Sequence, residues 1–175
     1  MPAWVWVVIA VAVVVLIVVG ALLTYQRRSR GVRKRFGPEY DRTVEERGSR
    51  REAEAELRAR LERRQRFEIR PLADGAQERY GGEWREAQAR FVDDPQGGIA
   101  EADRLVHQVM VERGYPMEDF EQRAADVSVD HPEVVEHYRA AHSVSVAAGR
   151  GEASTEDLRR AMVHYRALFE ELLKG

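Results

Sequence analysis

The chain contains no cysteine and no asparagine, and only two lysines against 26 arginines. Without cysteine there are no disulfides, no Cys-ligated zinc, no thiol catalysis and no lipidated cysteine anchor. A second long apolar run is also missing, which excludes a multi-pass channel or transporter. At 175 residues a large multidomain enzyme is excluded as well. A local absence is the most informative one: from Trp4 to Leu23 there is no charged side chain. The whole chain is 44% hydrophobic, yet its mean hydropathy is −0.51. Outside that stretch the hydrophobic share falls to roughly 37%, under the usual ~45–50% of globular chains. The average therefore combines one apolar segment with a strongly hydrophilic remainder.

Twenty residues at ~1.5 Å rise give about 30 Å of helix, the thickness of a bilayer's hydrocarbon core. Nine of the twenty are valine, which in water argues for strand. In lipid a lone segment satisfies its backbone only as a helix. Residues 4–24 are thus predicted to be a transmembrane helix, with Trp4, Trp6 and Tyr25 at the two interfaces. No basic residue precedes the segment, while Arg27, Arg28, Arg30, Arg33, Lys34 and Arg35 follow it. The positive-inside rule then places the N-terminus outside and the C-terminal body in the cytoplasm. A cleaved export signal would want a basic leader and a shorter apolar core. The same six cations, in a segment spanning 25–40, are candidates for contact with lipid head-groups.

Residues 41–70 read as a charged helix or spacer. Glu54→Arg58, Glu56→Arg60 and Glu62→Arg66 place an acid four residues before a base, the order that supports an exposed helix. Ala53, Leu57 and Leu61 form a thin stripe, suited to a solvated spacer or a weak self-associating coil through which the chain could homo-oligomerise. Between Arg27 and Arg66 there are 15 basic and 8 acidic residues. Beyond the basic collar the interleaved glutamates cancel the field that phosphate binding needs, so no nucleic-acid partner is read. From Phe67 on, the balance reverses to 13 basic and 22 acidic.

Residues 71–175 are predicted to form an antiparallel helical bundle, making the fold all-α. Phe67, Ile69 and Leu72 read as an extended linker. Tyr80, Trp84, Ala87 and Phe91 then step by three and four, as do Ile99, Ala102, Leu105, Val106, Val109 and Met110. A short third helix carries Phe120, Ala124 and Val127. His131-Pro132 is expected to open a fourth, with Tyr138 and Ala141 on its stripe. Ser154 to Asp157 resembles a capping box ahead of Leu158, Ala161, Met162, Tyr165, Leu168, Phe169 and Leu172.

Chemistry is sparse. The densest histidine region, His131 to His142, spaces its rings by six and five, whereas a zinc-protease helix needs four. A metal-binding or enzymatic use of His131, His137 and His142 is one alternative function, with Glu133 and His137 four apart, although two ligands do not make a site; a self-associating envelope structural protein built on the charged helix is the other. No cofactor motif and no catalytic constellation is read. The leading function is a membrane-anchored protein-interaction scaffold or regulatory module. Phe36 and Tyr40, flanking the Gly37-Pro38 turn, are candidate docking residues for a protein partner.

The segments Arg35-Phe36-Gly37-Pro38-Glu39-Tyr40-Asp41-Arg42, Phe120 to Asp126, Ser128 to Pro132 and Tyr165 to Phe169 resemble those of a group of single-pass membrane or secreted proteins from actinobacteria. The arginine-rich, lysine-poor composition agrees with a GC-rich genome. The resemblance implies one anchor plus a helical body, and no activity.

Overall fold

The computed structural model describes residues 29–174, together with residues 4, 12, 15–17, 19 and 20. Among the described residues the fold is all-helical, with no strand. No helix among them is long and apolar enough to cross a membrane. Most of the apolar stretch, with Trp6, Tyr25, Arg27 and Arg28, lies outside the described residues. The described positions within the stretch are helical, and Trp4, Leu16 and Ile17 are exposed.

Residues 29–36 are helical and lead into α1 (Pro38–Arg47). Between them Gly37 has a φ of 49°, which only glycine adopts without strain, and Pro38 pre-sets the first helical position. Gly48 closes α1 in the left-handed conformation, so the charged stretch is split in two. Its second half is α2 (Arg50–Arg64), capped by Ser49, whose hydroxyl accepts from the Glu52 N–H.

The remaining helices are α3 (Ala76–Asp93), α4 (Pro95–Arg113), α5 (Phe120–Asp130), α6 (Val135–Gly149) and α7 (Thr155–Lys174). Asp94 caps α4 by accepting from the Gly97 N–H at 2.9 Å. Gly98 lets α3 and α4 meet closely, because a Cβ there would lie 2.7 Å from the Phe91 backbone. The capping box before α7 is present: Ser154 Oγ accepts from the Asp157 N–H, and the Asp157 carboxylate accepts from the Ser154 N–H, both at 3.1 Å. One boundary differs from the sequence reading. The fourth predicted helix starts at Val135, not at Pro132. His131 still closes α5, its N–H donating to the Val127 carbonyl at 2.8 Å, so Pro132 falls in the reversing turn.

Two apolar clusters result. The distal one joins α3 to α7 and centres on Tyr138, Tyr165, Leu105, Leu168 and Phe169, with Trp84 stacked on Phe169 at 4.5 Å. Its closest helix pairs are α6 with α7, α3 with α4, and α4 with α7. Phe67, Ile69 and Leu72 of the extended linker lie half-buried against it. The proximal cluster is small: Val32, Phe36, Tyr40, Leu57 and Val129, with Val44 and Leu61 beside them. It ties residues 29–36, α1 and α2 to α5.

The charged stretch is therefore not a solvated spacer. Ala53 and Leu57 are fully buried, and so are Glu54 and nearly all of Arg60. The apolar stripe was too thin to announce this. Arginine stems and ion pairs to other helices supply the missing contact.

Candidate functional site

The junction between the proximal unit and the bundle is built on Glu39. Pro38 and the first turn of α1 turn its side chain inward, where it is fully buried. Arg60 of α2 donates to Glu39 Oε1 at 2.6 Å, and Arg139 of α6 donates to both carboxylate oxygens at 2.7 and 2.8 Å. Burial pushes the Glu39 carboxyl up, but the Arg139 and then the Arg60 hydrogen bonds and charges outweigh it and hold it below the usual carboxylate range. Arg60 also donates to Glu56 at 2.5 Å and to Ser128 Oγ on α5 at 3.2 Å. Further along, Arg63 forks onto Asp126 at 2.9 and 3.3 Å and reaches Glu118, and Arg64 donates to Asp130 at 2.5 Å. The α2–α5 contact is thus mainly ionic, with Leu57 and Val129 as its apolar part.

A second buried carboxylate, Glu54, accepts from Ser29 Oγ at 2.5 Å, from Tyr40 Oη at 3.2 Å and from Arg58 at 2.8 Å. Phe36 and Tyr40 are 0% and 2% exposed. They dock on the chain's own body, and neither ring is presented to an outside partner. Arg30, Arg33, Lys34 and Arg35 occupy the outward faces of the same helical residues. Of these, Arg33 pairs with Asp41 at 3.2 Å and lies over the Tyr40 ring.

Above the ionic junction runs a groove of about 630 Å³ between α2 and α5. It is lined by Ala55, Ala59 and Ala125 together with Arg47, Glu56, Arg63 and Gln122. An adjoining recess extends it to Arg42, Asp119, Glu121 and Arg139.

The histidines take separate directions. His131 lies 3.5 Å from Glu171, and His142 stacks on Phe120 at 3.7 Å. His137 Nδ1 sits 2.9 Å from His164 Nδ1 on α7. His131, His137 and His142 do not converge, and among the described residues no group of three or more metal-capable side chains occurs.

A polar chain missed by the sequence reading crosses the distal bundle instead. Tyr165 donates to Asp103 Oδ1 at 2.6 Å, and Asp103 Oδ2 lies 3.6 Å from His107 Nδ1. His107 Nε2 is 3.3 Å from Tyr138 Oη, which accepts from Arg123 at 3.2 Å. Arg123 can only donate, so Tyr138 Oη is its acceptor, and His107 Nε2 is a second group within reach of the same phenol. Burial holds His107 below its usual value, so it is neutral near pH 7. The chain borders a recess of about 530 Å³ lined by Arg79, Tyr80, Arg104 and Val111, none of which is a nucleophile of the serine or cysteine kind. The Asp103–His107 spacing of four was the available signal, obscured by the greater density of histidines after His131.

No protein-family model matches the chain, and no curated protein or solved structure is found to be similar to it.

Proposed function

We propose that this chain is a single-pass membrane protein, with its N-terminus outside and its helical body in the cytoplasm, that serves as a protein-docking scaffold or regulator at the membrane. One observation carries the reading. Arg30, Arg33, Lys34 and Arg35 stand on a helical segment, residues 29–36, that packs on the body through Val32 and Phe36 and leads into the Glu39 junction. With the collar packed on the body, the body would be held close to the lipid surface. The groove between α2 and α5 is the face that best suits a partner polypeptide. Its lining alanines admit close approach of a backbone, and its lining charges supply register.

The experiment combines topology with site-directed crosslinking in intact cells. A C-terminal tag is expected to resist protease until the cells are opened. A photocrosslinker at Ala59 is expected to give a discrete heavier species, absent when the crosslinker is placed at the exposed Glu170. Digestion of the tag in intact cells overturns the orientation. Identical patterns from the two crosslinker positions overturn the groove as the docking face.

A further inference from the structure

Most arginines of the proximal unit are bound to acids of the same chain. Among the described residues Arg30, Lys34, Arg35, Arg50 and Arg51 are different: all are exposed and none has an ion-pair partner. The first three belong to the collar. The other two stand at the tip of the α1–α2 hairpin, far from the collar in sequence, and contacts place them at the same end of the molecule. Ser29 touches Glu54 at 2.5 Å. From Glu54 toward its C-terminus, α2 contributes Leu57 and Leu61 to the cluster that holds Val32 and Phe36. α2 therefore runs in the same sense as residues 29–36. Going the other way, Arg50 lies one turn of ~6 Å beyond Glu54, at the end of the molecule where residues 29–36 begin.

We infer that the hairpin tip, through Arg50 and Arg51, is a second contact with an anionic lipid surface, so that the body stands on the membrane at two places rather than one. The inference rests on the anchor reading above. From Leu23 to Ser29 the chain covers about 9 Å as helix and about 20 Å at full stretch. The head-group layer beyond the hydrocarbon core is ~5–7 Å deep. With the collar anchored, the tip lies within one to two Debye lengths of the lipid phosphates. The exposed acids nearest the tip without a pair are Glu45 and Glu52, since Glu46 is held by Arg42 and Glu54 by Arg58. Five free cations therefore face two free acids. Guanidinium groups fork onto phosphate oxygens, so Arg50 and Arg51 suit head-group phosphates better than lysine would.

The absence of cysteine makes the test clean. The full-length chain carrying Ser49→Cys is labelled with an environment-sensitive fluorophore and placed in nanodiscs of phosphatidylcholine, with or without phosphatidylglycerol, containing a head-group quencher. The control label is Glu152→Cys, in the loop before α7. It lies beyond the end of α6, which starts beside the proximal unit (Glu136 at Arg42, Arg139 at Glu39) and runs about 15 Å further from Arg139 to Gly149. The label at 49 is expected to be quenched at least about twofold more than the label at 152 in anionic discs, with the excess shrinking in neutral discs. Each cation near an anionic surface favours contact about fivefold, so Arg50→Gln with Arg51→Gln is expected to lower the contacting-to-free ratio about twenty-fivefold. A chain that enters the disc with both labels equally unquenched overturns the second contact alone. A chain that fails to enter the disc overturns the anchor reading and this inference with it.

Discussion

At the scale of single residues, the junction depends on Glu39. It is fully buried, and two guanidinium groups are aimed at it. Arg60 Nε and Arg139 Nε are themselves buried without partners, so the network fixes geometry without being fully satisfied. Glu39→Ala removes the buried carboxylate that Arg60 and Arg139 share, leaving them only the more exposed Glu56 and Glu136, and is expected to cost about 3 kcal/mol in chemical denaturation, more than loss of the exposed Arg33–Asp41 pair at about 0–1 kcal/mol. The pH dependence follows from the lowered carboxyl pKa. A carboxyl depressed in the folded state contributes stability that is complete above its unfolded value of 4.5 and is lost as pH falls through the folded one. Wild type should therefore lose stability below about pH 4.5 more steeply than Glu39→Gln. Equal slopes would show that Glu39 is not ionised in the folded protein. Little of this was legible. Phe36 and Tyr40 were noticed as aromatic residues in a turn, but the residue between them that organises the junction reads in sequence as one more glutamate. Its partners lie 21 and 100 positions away.

At the scale of elements, the apolar period located the distal helices because each buries a full stripe. Leu158, Ala161, Met162, Tyr165, Leu168, Phe169 and Leu172 are all buried, as their spacing predicts. α2 misled because its inner face is only Ala53, Leu57 and a pair of charged residues, Glu54 and Arg60. Of the local pairs predicted for it, Glu54–Arg58 and Glu56–Arg60 form. Their acids serve other helices as well, Glu54 through Tyr40 and Ser29 and Glu56 through Arg47. Leu57 is then the single large aliphatic side chain buried at the centre of the proximal cluster. Leu57→Ala is expected to cost about 2–5 kcal/mol there and to loosen one unit selectively. Hydrogen exchange should accelerate across α1 and α2 while α7 stays protected. Uniform acceleration through α7 would mean that the two clusters unfold as one.

At the scale of the whole molecule, the near-zero net charge conceals two parts held together by different physics. The proximal unit is basic and joins the bundle through ion pairs, several of them partly exposed: Arg42–Glu136, Arg63–Glu118 and Arg64–Asp130. The distal bundle is acidic overall, and a continuous apolar cluster holds it together. Salt screens the first kind of contact and leaves the second nearly untouched. Acid acts elsewhere. Burial holds His107, His131, His142 and His164 below their usual value of 6.5, and a histidine depressed in the folded state contributes stability present above the unfolded value and lost as pH falls through the folded one. The distal bundle should thus begin to weaken below about pH 6.5, before the Glu39 junction does near 4.5. Two probes separate the parts: Trp84 fluorescence for the bundle, read with Trp4 and Trp6 replaced by phenylalanine, and a label at Ser49→Cys for the hairpin. Raising salt at pH 7.5 is expected to lower the urea midpoint seen by the label and not that seen by Trp84, whereas moving from pH 7.5 to 5.5 at fixed salt should shift the Trp84 midpoint more. Parallel shifts of both probes under both treatments would show a single cooperative unit, in which the ionic junction transmits every perturbation from the bundle to the collar.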